Sequence, residues 1–222
     1  MEMLSFKVPG SENAVTQEAF NFLRTNIQFC GNSVKSIVIT SSYENEGKST
    51  VSLCLARNLA DLDKKVLFID ADMRNSKSPE RNFKAKNLTG LSEILSGQTD
   101  VNSCINKTVV PNLYVILPGT TPPNPTELLS KKLFSDLIQA CKESFDYIIL
   151  DSPPVALVTD ATLISAVCDA NILVVGRKSL SLTDLSKAAD QLKKSGSKCL
   201  GIVRNFVPSS NGGLYSKYYH KK

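Results

Sequence analysis

Gly47-Lys48-Ser49-Thr50, preceded by Ser42-Tyr43-Glu44-Asn45-Glu46 and by the apolar run Ile37-Val38-Ile39, carries the residue types that hold a phosphate chain. In such a loop successive backbone N–H groups turn inward around the anion. Gly47 lets the main chain approach, Lys48 reaches the outer oxygens and the Ser49 hydroxyl can ligate Mg²⁺. The pattern usually opens with glycine; here Ser42 stands in that place. Three carboxylates complete the inventory: Asp70 and Asp72 after Lys65-Val66-Leu67-Phe68-Ile69, and Asp151 after Tyr147-Ile148-Ile149-Leu150. Acids of this kind suit a magnesium ion with its waters, and can orient a nucleophile and accept its proton. Loop and acids together predict phosphoryl transfer from a nucleotide, either to water or to a hydroxyl of a protein side chain.

These residues can meet only if particular elements place them. Apolar runs without alternation are strands buried on both faces of a parallel sheet, and charges at their carboxyl ends lie at its ligand edge. The pattern predicts strands at Ile37–Ile39, Lys65–Ile69, Leu113–Leu117, Tyr147–Asp151, Ile172–Val175 and Leu200–Val203. Helices are expected over about 13–30, Thr50–Leu62, Leu91–Leu95, Thr126–Ser144, Ala161–Cys168 and Thr183–Ser195. In the first helix Val15, Ala19, Phe22, Leu23, Ile27 and Cys30 are expected to form one apolar stripe. Residues 75–89 read as irregular, and the prolines between Pro118 and Pro125 exclude helix or central strand. Strands alternating with helices predict one α/β domain over 1–207, a mostly parallel sheet with helices on both faces. Residues 208–222 read as a flexible tail, with Tyr215, Tyr218 and Tyr219 among its last nine residues.

Composition removes other classes. The 222 residues suffice for the core of one sizeable domain, with 42% hydrophobic content. No run approaches the roughly eighteen apolar residues of a membrane span, and residues 1–10 lack a signal-peptide pattern, so a cytoplasmic protein is expected. His220 is the single histidine, which argues against a histidine triad or a zinc site. Cys30, Cys54, Cys104, Cys141, Cys168 and Cys199 are scattered without a C-x-x-C pair and read as buried, reduced thiols. The net charge of +5 is concentrated in the tail, where no acid follows Arg204, so a nucleic-acid partner is not expected.

With these motifs in place, the chain closely resembles the bacterial tyrosine kinases of capsular and exopolysaccharide synthesis, of the separate CpsD/CapB type. The likeness spans nearly the whole length. It rests on three nucleotide motifs at Ser42–Thr50, Val66–Asp72 and Ile148–Asp151, with Gly90-Leu91 and the segment Pro122–Leu129. It implies a P-loop NTPase domain that binds ATP and Mg²⁺ and phosphorylates its own tail at Tyr215, Tyr218 and Tyr219. It also implies roles: Ser42, Glu46, Gly47, Lys48, Ser49, Thr50 and Asn205 at the nucleotide, Lys48, Asp70, Asp72 and Asp151 in catalysis, and Ser49, Asp72 and Asp151 at the metal. Further implications are a transmembrane polysaccharide co-polymerase as activator, recruitment to the inner face of the membrane, a cognate tyrosine phosphatase and a homo-oligomeric ring. The family's ring motif in the first helix falls on Glu18, Asn21 and Arg24, so its middle arginine is missing. The alternative is a MinD/ParA-like positioning ATPase; such proteins carry a lysine where Tyr43 stands.

Overall fold

The computed structural model describes residues 3–6, 14–74, 83, 89–176 and 181–207. Strands β1 (Ser36–Ser41), β2 (Val66–Asp70), β3 (Asn106–Lys107), β4 (Leu113–Ile116), β5 (Tyr147–Asp151), β6 (Ala170–Val175) and β7 (Lys198–Arg204) form one sheet in the order β3-β4-β2-β5-β1-β6-β7. All pairings are parallel except β3 with β4. The helices are α1 (Ala14–Gln28), α2 (Lys48–Ala60), α3 (Leu91–Leu95), α4 (Val101–Cys104), α5 (Pro125–Ser130), α6 (Lys132–Ser144), α7 (Asp160–Ala166) and α8 (Leu182–Lys193).

Because side chains alternate along a strand, each buried run serves two cores. Ile37, Ile39, Phe68 and Ile149 pack beneath α1 and α2. Val38, Leu67, Ile69, Ile148 and Leu150 pack against α3, α5, α6 and α7 on the other face. Leu173 and Val175 meet Ala188 and Leu192 of α8. Each such side chain contributes roughly 1.5–3 kcal/mol by leaving water, which makes the central strands a rigid base for the loops at their ends.

Several expectations need correction. The helix expected over Thr126–Ser144 is two, broken where Lys131 adopts φ −68 and ψ 146. Leu129 and Phe134 both enter the core, yet a five-residue step turns a continuous helix by roughly 140°. The break lets both face the sheet. In α1 the inward face is Phe20, Leu23 and Ile27, whereas Val15 and Phe22 are exposed. The helix is therefore apolar on two sides rather than along one stripe. Strand β3 escapes sequence reading because two residues carry no alternation; Leu4 extends this edge, donating its N–H to Lys107 O and accepting that of Val109. Cys54, Cys104, Cys141 and Cys168 are buried free thiols, but Cys30 is half-buried and Cys199 exposed. Of residues 75–89 only Phe83 and Thr89 are described, and the tail with Tyr215, Tyr218 and Tyr219 lies outside the described residues. No helix among the described residues is long and apolar enough to cross a membrane.

Candidate active site

The loop between β1 and α2 takes its shape from two left-handed residues, Asn45 (φ 61) and Gly47 (φ 85). Gly47 is required twice over, since a β-carbon there would overlap the Asn205 amide. Glu46 fixes the loop's base. Its buried carboxylate accepts the Tyr43 N–H at 2.9 Å and the Gly176 N–H at 3.2 Å, joining the loop to the end of β6. The Asn205 side-chain amide donates to Glu46 O at 3.0 Å and joins the end of β7 as well. Glu46 thus turns its carboxylate toward backbone N–H groups, which keeps a negative charge from facing a phosphate chain. The Ser42 hydroxyl is buried with no hydrogen-bond partner.

The sheet order brings the acids to the loop. Strand β5 lies between β1 and β2, and Asp70 and Asp151 are register partners at the ends of β2 and β5. Asp72 lies just beyond Asp70, whose Oδ1 accepts the Asp72 N–H at 3.2 Å. Lys48 Nζ is 3.4 Å from Asp72 Oδ2. Burial alone would lower the Lys48 ammonium, but the carboxylates of Asp151, Asp72 and Asp70 outweigh it and hold it above its ordinary value. Asp151 is pushed up to about 6: burial dominates, and Lys48 with the Ser49 and Ser52 hydroxyls offsets only part of it. Asp151 Oδ1 is buried without a partner. A buried, unsatisfied carboxylate oxygen costs free energy unless something fills the place.

That oxygen, with the Ser49 hydroxyl and Asp72, forms an all-oxygen donor set of the kind Mg²⁺ selects. No three carboxylate, thiol or imidazole side chains among the described residues make a ready metal cage. Magnesium takes few protein ligands and fills its shell with phosphate oxygens and water. The donors present therefore fit magnesium bound with a nucleotide. One feature escaped sequence reading: Arg74 clamps Asp160 of α7 through Nε (2.7 Å) and Nη2 (2.9 Å) and donates to the Thr126 hydroxyl of α5 (2.7 Å). It was visible as an arginine two residues beyond Asp72, but its partners lie 52 and 86 residues away.

The ring-motif residues Glu18, Asn21 and Arg24 lie at successive turns of α1. Asn21 Nδ2 donates to Glu18 Oε2 at 3.2 Å on the same helix. Arg24 reaches inward to Asn58 O at 3.4 Å.

Comparison with known proteins bears on the family and the fold. The AAA domain family matches residues 34–200. The tyrosine-protein kinase CpsD of Streptococcus agalactiae is 47% identical over 206 residues, covering 91% of this chain and 90% of that protein. Among solved structures, the chimerical protein CapA2B2 superposes with a TM-score of 0.83 at 32% identity, covering 94% and 95% of the two chains. The kinase domain of the Escherichia coli tyrosine kinase ETK gives 0.81 at 33%, covering 86% and 75%. MinD of Pyrococcus horikoshii, solved with Mg-ADP, is more distant, at 0.64 and 24% identity over 82% and 76%, and shares the fold. Identity across nine-tenths of the length, reaching from the phosphate loop through both acid-bearing strands, places the chain in the CpsD/CapB family of bacterial tyrosine-protein kinases.

Proposed function

We propose that this protein transfers the γ-phosphoryl group of ATP to tyrosine hydroxyls, including its own Tyr215, Tyr218 and Tyr219, and thereby regulates capsular or exopolysaccharide synthesis. The observation that carries the reading is the convergence of Asp70, Asp72 and Asp151 on Lys48 at the phosphate loop. The N–H groups of Gly47, Lys48, Ser49 and Thr50, with the Ser42 hydroxyl, hold the phosphates. Asn205 reads the base. Ser49, Asp72 and Asp151 would hold magnesium, which would supply positive charge to the phosphate oxygens.

In the chemical step the phenol oxygen forms a bond to the γ-phosphorus as the bond to the β,γ-bridging oxygen breaks, and ADP leaves. Asp70 orients the phenol and takes its proton. A phenol's reference pKa of about 10 makes that help worthwhile. Lys48 steadies charge on the moving oxygens. Membership of a family with CapA2B2 and CpsD supports a membrane-bound activator that recruits the chain to the inner face of the membrane. The second apolar face of α1, with Val15 and Phe22 exposed, supports self-association. Tyr43 in place of a lysine disfavours the positioning ATPase.

Intact-mass spectrometry after incubation with ATP and magnesium, with and without the cytosolic segment of the membrane partner, tests this. Stepwise gain of phosphoryl groups is expected; ADP release with no change in mass would identify a hydrolase instead.

A further inference from the structure

Asp72 and Asp151 follow different strands, and the chain beyond each strand decides whether they keep their spacing. After β5 it is stitched to the start of the phosphate loop. The Ser152 N–H donates to Ile39 O (3.1 Å), that of Val155 to Ser41 O (2.8 Å) and that of Ala156 to Ser42 O (3.3 Å), and the Thr40 hydroxyl donates to Pro153 O (2.9 Å). This stitched segment leads into α7, whose first residue is Asp160. After β2 the Ala71 N–H donates to Asp151 O at 2.8 Å and Met73 is buried in the core. The Asp72 carboxylate between them is paired with Lys48 Nζ at 3.4 Å. That partner is the group a phosphate chain would draw away.

Two residues past Asp72 stands a second anchor. Asp160 is 1% exposed, and both of its oxygens are used. Oδ2 accepts Arg74 Nε at 2.7 Å, while Oδ1 accepts Arg74 Nη2 at 2.9 Å and the Thr126 hydroxyl at 2.8 Å. Two parallel bonds fix the plane of a guanidinium as well as its place. Such a pair adds little net stability over apolar residues of similar volume, so what it supplies is geometry. Through it the loop after β2 is closed onto α7, and α7 is joined back through residues 152–159 to Asp151 and the phosphate loop. Asp160 itself lies outside the group that faces the phosphates.

We propose that Asp160, acting through Arg74, is a positioning residue for the magnesium site: it holds the loop after β2 so that Asp72 keeps its place beside Asp151 and Ser49 once Lys48 turns to the phosphates. Thr126 carries the same clamp to α5, so the seating of α5 and the affinity for the metal are coupled. The inference rests on the reading of Ser49, Asp72 and Asp151 as magnesium donors. A misplacement of about 1 Å in an ordered site can cost ~100-fold. Here the buried Met73 limits the shift, and about tenfold is expected.

The test is calorimetry of ADP binding to the full-length protein, with magnesium and with a chelator; the ratio of the two affinities is the gain from the metal. Asp160→Asn is expected to leave the affinity without magnesium within about twofold and to cut the gain about tenfold. Arg74→Lys, which keeps the charge but not the fork, should cut it about threefold, and carries the test if Asp160→Asn does not fold. In single turnovers the magnesium needed for half-maximal transfer should rise about tenfold in Asp160→Asn, with the rate at saturating metal within about twofold of wild type. Asp169→Asn, at the other edge of the sheet, should leave the gain unchanged, which separates positioning from general loosening. A wild-type gain in both Asp160→Asn and Arg74→Lys would overturn the proposal. An equal loss of affinity with and without magnesium would also overturn it, leaving Asp160 a structural residue. No gain in wild type would overturn the metal assignment and this inference with it, whereas the expected pattern in a protein that forms no phosphotyrosine would sustain the role of Asp160 and sink the phosphotransfer reading alone.

Discussion

Asp169 and Asp151 lie at opposite edges of one sheet and have opposite surroundings. Asp169, before β6, accepts the Lys35 N–H (3.0 Å), the Ser36 N–H (2.8 Å), the Ser36 hydroxyl (3.0 Å) and the Lys142 ammonium (2.7 Å). Burial pushes its carboxyl up, but these donors outweigh it and hold it below the usual range. Asp151, ending β5, keeps one buried oxygen without a partner and is pushed up to about 6. The lower edge uses its aspartate to tie β1, α6 and β6 together. The upper edge leaves its aspartate unsatisfied, a local cost that a bound cation and phosphate chain would relieve.

The largest expected effect falls on the upper edge. Lys48→Met removes the cation shared by three carboxylates, and self-phosphorylation measured with an anti-phosphotyrosine antibody should drop at least ~1000-fold. Asp70→Asn should slow single-turnover transfer by about 100-fold, the usual weight of a positioned base, and do much less to ATP binding by calorimetry. A normal transfer rate would remove Asp70 from that role. At the lower edge Asp169→Ala strands several donors, among them a half-buried ammonium. Urea unfolding should show a loss of ~2 kcal/mol, while the rate per folded molecule stays near wild type. If Asp169→Ala instead abolished transfer without destabilising the fold, the division between the edges would be wrong.

The smallest effect separates the two aspartates by pH. Asp151 binds its proton more tightly in the folded than in the unfolded chain, where a carboxylate has a pKa of about 3.9. Its contribution to stability is full below pH ~4 and is lost as pH rises through about 6. Asp169, lowered on folding, contributes above the unfolded value and loses that as pH falls through its folded value. Asp151→Asn should therefore make the nucleotide-free protein more stable at pH 7, by roughly 1–2 kcal/mol once Lys48 is allowed for. It should also flatten the decline between pH 4 and 7, read by thermal unfolding across buffers. Asp169→Asn should flatten the acid side instead.

Much of the upper edge was legible because its residues announce themselves locally. A lysine and hydroxyls follow one apolar run, and acids follow two others, so each could be placed at a strand end before any tertiary contact was known. That Asp70 and Asp151 are neighbours, however, depends on β2 pairing with β5, a long-range choice that no local pattern encodes. The same holds for Asp169, which sequence reading passed over because its donors are more than a hundred residues away at Lys35 and Ser36. The break at Lys131 was readable in principle from the five-residue step between Leu129 and Phe134. The inward face of α1 was not, since Phe20-Leu23-Ile27 and Val15-Ala19-Phe22 are equally periodic and only packing on α2 chooses between them.

A rapid-quench single turnover, with enzyme in excess over Mg-ATP, tests the central claim most directly by following ADP and phosphotyrosine together. The two products should rise at one rate and in equal amounts, because the phosphoryl group passes straight from nucleotide to phenol. ADP accumulating with inorganic phosphate while phosphotyrosine stays at background would contradict it.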